Sequence, residues 1–266
     1  MIPRVATPPW KIDLKMAGVL GLAAALATAG LFPYLQQLMP EKLEHIPLPL
    51  SVLVTAQALQ AFVLLGALSL LGLRMGHRLG LGAPLLQRWC GGSGNATFQR
   101  PAPLQAILPG IAAGALVLLC AHWIDPWLPT MVNPPAATAA SVSAFNGLLA
   151  SFYGGIAEEL QLRLFLMTLM LWVVARVRRR MPGNAAFHVA IVLAAVLFGV
   201  GHLPAAAQIW GLDAIVVLRT VVLNALVGCV CGWLYWRRGL EMAMLAHFSA
   251  DIVLHVLAPL LKLGAP

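Results

Sequence analysis

Glu158, Glu159 and Arg163 stand in a stretch, 158–163, that reads Glu-Glu-Leu-Gln-Leu-Arg and lies between two apolar runs, 145–156 and 164–174. Near the centre of a membrane helix each such charge costs ~2.5–3.5 kcal/mol on insertion scales, so an ionisable residue there faces a partner or a water-filled cavity. Helical spacing sorts the three. Glu159 and Arg163 are four apart, on adjacent turns, with the acid on the N-terminal side as an ion pair prefers. Glu158 is five before Arg163, roughly 140° around an α-helix from it, and cannot share that pairing. One carboxylate is thereby occupied, and its neighbour is presented to something else. On these residues alone the alternative, a single structural cluster of all three, stays open.

Two later stretches carry imidazoles. Phe198-Gly-Val-Gly-His202 ends an apolar run, and His247-Phe-Ser-Ala-Asp251 puts a histidine and a carboxylate one turn apart on one helix face, with His255 continuing the stripe. Singly, His202 reads as an interfacial residue and His247 with Asp251 as a satisfied polar contact. Burying each alone is costly. If the three stretches converge, each relieves its neighbours' desolvation, and the cluster makes a polar cavity able to bind a metal, relay protons or activate water.

The elements that must position these groups are membrane helices. Of the 266 residues 61% are hydrophobic and 10% charged, against about 25% charged in soluble domains. Repeated apolar stretches near the ~20 residues that span a bilayer give an all-α, polytopic transmembrane bundle. The formal charge of +8 is not a nucleic-acid footprint, because the cations cluster at span ends, where they orient the chain and meet anionic headgroups. Cys90, Cys120, Cys229 and Cys231 form no C-x-x-C pair and read as small buried side chains. Asn95-Ala-Thr97 matches a glycosylation sequon, a pattern short enough to arise by chance.

Seven spans are expected, at about 16–35 (with Pro33 near its end), 48–73, 104–123, a fourth within 141–177, 185–202 (ended by Pro204), 214–236 and 240–261; an extra re-entrant or interfacial helix would make eight. The first starts late and is long for a signal-peptide core, so it reads as a retained helix. The piece 79–89 is suited to lie along the interface. The run 141–177 would be about 55 Å long as a helix, more than a ~30 Å core. It is therefore expected to break or bend near Gly154-Gly155, after a leading helix over 142–154 and before a spanning part to 177. Residues 1–140 supply generic helices and loops and 141–266 the catalytic core, within one integral membrane domain. Thirteen of the 17 Lys and Arg fall in 1–15, 74–101, 176–184 and 237–239, which favours a cytoplasmic N-terminus and an outer C-terminus.

Glu158-Glu159-x-x-x-Arg163, Phe198-x-x-x-His202 and His247-x-x-x-Asp251, in that order and one per span, resemble the motifs of the CAAX protease and bacteriocin-processing (Abi, CPBP) family, glutamic intramembrane endopeptidases. The lead into His247, Leu240-Glu-x-Ala-Met244, is similar to the family's approach to its last motif. The likeness covers roughly 141–257. It implies an intramembrane endopeptidase acting on a membrane-associated peptide or protein, in a bacterial inner membrane, with neither cofactor nor metal. In the roles it implies, Glu158 is the general base, holding a water with His202; Glu159 and Arg163 support it; His247 and Asp251 face the carbonyl oxygen.

One position departs from the family pattern. Asn is common where Asp251 stands, and an ionised Asp cannot donate a hydrogen bond to an oxyanion. Either Asp251 is protonated, or it orients His247 and leaves that imidazole as donor; the second is the favoured expectation. Depth adds a tension. Counted from the inner boundary at 1.5 Å per residue, Glu158 and His202 lie about 27 Å in, His247 about 14 Å and Asp251 about 20 Å. Two other readings stay in play: a zinc-dependent protease, although no H-E-x-x-H is present, and a non-catalytic immunity factor or scaffold. A transporter is disfavoured, since no internal repeat is evident.

Overall fold

A chain this apolar has to satisfy its backbone polar groups inside each span, which helices do. The computed structural model describes residues 8–91 and 102–263, and these form helices and no strand. Arg4, Arg100 and the Asn95–Thr97 sequon lie outside the described residues. Among those described, seven helices are long and apolar enough to cross a membrane: Trp10–Leu38, Leu50–Leu79, Leu104–Trp127, Ala140–Arg178, Asn184–Trp210, Ala214–Arg238 and Leu240–Leu261. They are called the first to seventh spans below. The protein is an all-α polytopic bundle.

Three spans show local detail beyond the expected bounds. The first, expected over about 16–35, runs from Trp10 to Leu38 with Pro33 inside the helix. The fourth, expected to break or bend near Gly154-Gly155, leaves regular α geometry at that place. It stays helical and widens to π geometry over Tyr153–Glu158 and again over Leu160–Met167, a distortion that recurs at functional sites. In the fifth span the main helix ends where expected, just before Pro204, and a short second helix follows. The helix Asn184–Gly201 turns at His202, and Pro204 occupies the first turn of a second helix, Leu203–Trp210, where its missing N–H is harmless.

The first half of the seventh span is enclosed by its neighbours. Leu240, Ala243, Ala246 and Ala250 are fully buried and no residue of Leu240–Asp251 is exposed, whereas Leu257, Leu260 and Leu261 farther along are. Glycines let its neighbours approach at backbone distance, as in membrane bundles generally. On the third span Gly110 meets Ala246 and Gly114 meets Ala250, and on the fourth Gly147 meets the backbone of His255. A side chain on any of the three would collide with main chain.

The seventh span also starts from an enclosed position. The segment 79–89 packs against that start: Leu240 donates its N–H to Gly82 O. Glu241 in turn accepts from the backbone N–H groups of Leu85 and Leu86, at 2.9 Å each, in the short helix Pro84–Trp89. Counting depth from one common boundary therefore places His247 and Asp251 too shallow. The helix that carries them begins already inside the bundle.

Candidate active site

The fourth span brings two carboxylates and a guanidinium to one level, and the seventh brings an imidazole against them. Arg163 Nη1 lies 3.0 Å from Glu159 Oε1, with the two side chains 1% and 0% exposed. The i,i+4 pair expected from spacing is therefore formed. Arg163 Nη2 donates to the carbonyl of Gly228 on the sixth span at 3.0 Å, and the guanidinium lies 5.2 Å from the ring centre of Phe198. The carbonyl of Arg163 accepts from Thr168 Oγ1, which is also 2.7 Å from the Tyr235 hydroxyl. That five-residue back-bond belongs to the widened stretch.

Glu159 has a second partner. His247 Nδ1 lies 2.7 Å from its Oε1; facing a carboxylate that is held by an arginine, this nitrogen is the donor. The residue that orients His247 is thus Glu159, and not Asp251 as the spacing along the seventh span had favoured. Asp251 Oδ1 sits 3.8 Å from the other ring nitrogen, Nε2. The correction has a plain cause. An i,i+4 relation along one helix gave the seventh span its own pair, whereas interhelical packing offered His247 a shorter and fully buried acceptor.

Glu158 faces the other way. Its side chain is 18% exposed, and its oxygens stand 3.7 Å from His202 Nε2 and 3.6 Å from His247 Nε2, one oxygen toward each ring. Both intervals exceed a hydrogen bond and suit a shared water or a reacting atom between the groups. His202 Nδ1 is 2.9 Å from the carbonyl oxygen of Phe198, an acceptor only, so Nδ1–H donates there and Nε2 is turned to Glu158. The Phe198 ring stands edge-to-face with both imidazoles, at 4.7 Å from His202 and 5.5 Å from His247.

These groups open onto a cavity of about 470 Å³ lined by Glu158, His202, His247 and Asp251 together with residues of the first, third and sixth spans. The three motifs, distant in sequence, are thus brought to one place. Spans assigned to the N-terminal region contribute as well: Leu31, Tyr34, Leu35 and Leu38 of the first span line the same space.

Several contributors were not legible in the sequence. Tyr34 reaches across the cavity to His255, with its hydroxyl 3.4 Å from Nδ1. Gly154 packs directly on the Asp251 carboxylate and near His247 Nε2, so that a Cβ would meet Asp251 Oδ2. The Gly154-Gly155 pair had drawn notice as a bend, but its use is to admit the seventh span. Phe198 had been read as the lead residue of a motif, and its ring is the spacer between Arg163 and the two imidazoles.

A metal could be sought at Glu159, Cys231 and His247, whose ligand atoms lie within 4.8 Å of one another. Glu159 is already bound by the Arg163 guanidinium 3.0 Å away, and a fixed cation at that distance opposes a metal ion at the same carboxylate. The donor set does not fit a resident metal.

Residues 140–253 match the family model described as Rce1-like, type II CAAX prenyl endopeptidase Rce1-like. The chain is thus a polytopic membrane protein whose residues 140–253 are similar to the CAAX protease (CPBP) family. No curated protein and no solved structure matches it.

Proposed function

We propose that the protein is a glutamic intramembrane endopeptidase, hydrolysing a peptide bond in a membrane-associated polypeptide by activated water, with its N-terminus on the cytoplasmic side of a bacterial inner membrane. The observation that carries the reading is the position of Glu158. It is the one carboxylate of the adjacent pair without a short ion pair, and it lies between two imidazole Nε2 atoms at the wall of a cavity. The similarity of residues 140–253 to the Rce1-like CAAX endopeptidase family model supports it.

In this mechanism a water is held between Glu158 and His202. Glu158 takes its proton as the oxygen attacks the scissile carbonyl carbon, a general-base step of a kind worth about 10²–10⁴ in rate. The carbonyl oxygen, now an oxyanion, turns toward His247 and Asp251. His247 Nε2 donates to it from the doubly protonated ring, with Nδ1–H held by Glu159 and Asp251 as counter-charge 3.8 Å away. Asp251 donates in addition only in its protonated form. The C–N bond breaks, the proton on Glu158 passes to the leaving amine, and no covalent enzyme intermediate forms. Pairing Arg163 with Glu159 keeps that cation's short contact away from Glu158, a physical use for the doubled glutamate.

The test is cleavage of lipid-anchored peptides by the purified chain in proteoliposomes, read by mass spectrometry, with and without a chelator. Cleavage that survives chelation and disappears in Glu158→Gln is expected. Retained cleavage by Glu158→Gln sinks the assignment, and loss on chelation that added zinc restores transfers the chemistry to a metal.

A further inference from the structure

The cavity does not extend through the bundle, and the end at which it opens identifies the side that supplies the substrate. The lining residues nearest the ends of spans all lie at one end of the bundle. Leu38 ends the first span and Met39 follows it, Asp125 is in the last turn of the third, Ala205 is in the last helix of the fifth, and Arg219 is in the second turn of the sixth. A second hollow of about 290 Å³ shares Leu38 and Met39 with the cavity and continues it to Lys42, His45, Asn133 and Gln208.

Toward the opposite end the bundle is solid. Leu164, Met167 and Leu171 of the fourth span, Leu234 and Tyr235 of the sixth and Leu240 of the seventh are no more than 1% exposed. Beyond them come Arg176, Arg178, Arg179 and Arg180, then Arg237 and Arg238. The solid end is therefore the end with the arginine-rich connections, and the cavity mouth is at the other. Arginine-rich connections mark the cytoplasmic side.

We infer that the scissile segment enters from the outer face of the membrane, through the mouth between Leu38–Lys42, Asn133 and Gln208. The substrates are then exported peptides, or outer juxtamembrane segments of membrane proteins, and not cytoplasmic tails. The mouth fits a polar, extended chain. It presents Glu41, Lys42 and His45 on one side and Asn133, whose amide donates to Gln208 O at 2.7 Å, on the other. Further in, the wall turns apolar with Leu31, Leu35, Leu118, Leu223 and Val227, so apolar side chains flanking the cleaved bond are accepted. At the rim Arg219 is held by Asp125, with Nε 2.6 Å from Oδ1 and Nη2 3.2 Å from Oδ2, and lies 5.4 Å from the ring centre of Trp210. This fixes the third and sixth spans on either side of the opening.

The inference rests on the protease reading for the word substrate, but its test does not need activity. Lys42→Cys, Ala205→Cys and Arg179→Cys are made singly in the full chain. Each is exposed to a charged, membrane-impermeant maleimide in intact cells and after permeabilisation, and the label on the native cysteines of the unsubstituted chain is subtracted. Lys42→Cys and Ala205→Cys should label in intact cells, several-fold above background, and Arg179→Cys only after permeabilisation. Leu38→Cys replaces Ala205→Cys if the latter does not accumulate. Three results overturn the inference: the cavity cysteine labelling only together with Arg179→Cys; Lys42→Cys protected in intact cells while Arg179→Cys reacts; or the cavity cysteine reacting only with an uncharged, bilayer-soluble maleimide, which would mean lateral entry. The same pattern in the Glu158→Gln background separates this result from any failure of the catalytic assignment.

Discussion

Near the beginning of the first span Asp13 meets Arg74 and His77 of the second, and in the middle of the bundle Glu159 meets Arg163 and His247. The two clusters use the same three kinds of side chain. Asp13 is fully buried and gives one oxygen to each partner, Oδ2 to Arg74 Nη1 at 2.8 Å and Oδ1 to His77 Nε2 at 2.9 Å. Arg74 is completed by the carbonyl of Pro8 and the face of Trp10. Every group there has an occupation, and the cluster joins two helices. The second cluster is just as buried, but it sits beside an additional carboxylate, Glu158, and its histidine turns a second nitrogen to the cavity. Burial of charge therefore does not mark a reactive site in this molecule. What distinguishes the second place is a carboxylate without a short ion pair and with space in front of it, beside a cluster in which Glu159 Oε2 and Arg163 Nε also lack hydrogen-bond partners.

The comparison can be broken most directly by removing the unpaired group. Glu158→Gln should reduce turnover by about 10²–10⁴ and leave the thermal unfolding midpoint in detergent unchanged; a large fall in midpoint would make Glu158 structural. Arg163→Met attacks the buried ion pair and leaves Glu159 without its cation, so stability should fall by about 3–5 kcal/mol, read by unfolding in mixed micelles. In the first cluster Asp13→Asn should cost about 1.5–3 kcal/mol, the range for a hydrogen bond to a charged group, while turnover per folded molecule stays at the parent value. A specific loss of turnover there would erase the distinction between the clusters. Gly154→Ala sharpens it at the smallest scale. Its Cβ presses on the Asp251 carboxylate, and overpacking of about 1–3 kcal/mol should displace Asp251 and lower turnover more than it lowers stability.

The pattern of charges was legible in the chain because a membrane makes charge expensive: each ionisable residue in an apolar run had to be accounted for, and few were available. Glu159 with Arg163 followed from i,i+4 spacing within one helix. The partner of His247 did not. Spacing offered Asp251, and packing supplied Glu159 at 2.7 Å, since the nearest acceptor of a buried group is set by which helix lies against it. The depth count failed for a related reason. It could not know that residues 82–86 lie beneath the start of the seventh span and that this helix begins inside the bundle.

By itself, then, the sequence determined the all-α membrane class, seven spans, the bias of Lys and Arg among the connections, and six residues on three of those spans with acid–base character. These follow from composition and from periodicity within single helices, where every relevant neighbour is a few residues away. Only the tertiary structure decided that the six converge, that the first span walls the cavity through Tyr34 and Leu38, that the Phe198 ring lies between Arg163 and the two imidazoles, and that the cavity opens away from the arginine-rich ends. Each of these is a relation between helices. It depends on glycine-mediated approach and on tilt, and a one-dimensional pattern carries neither.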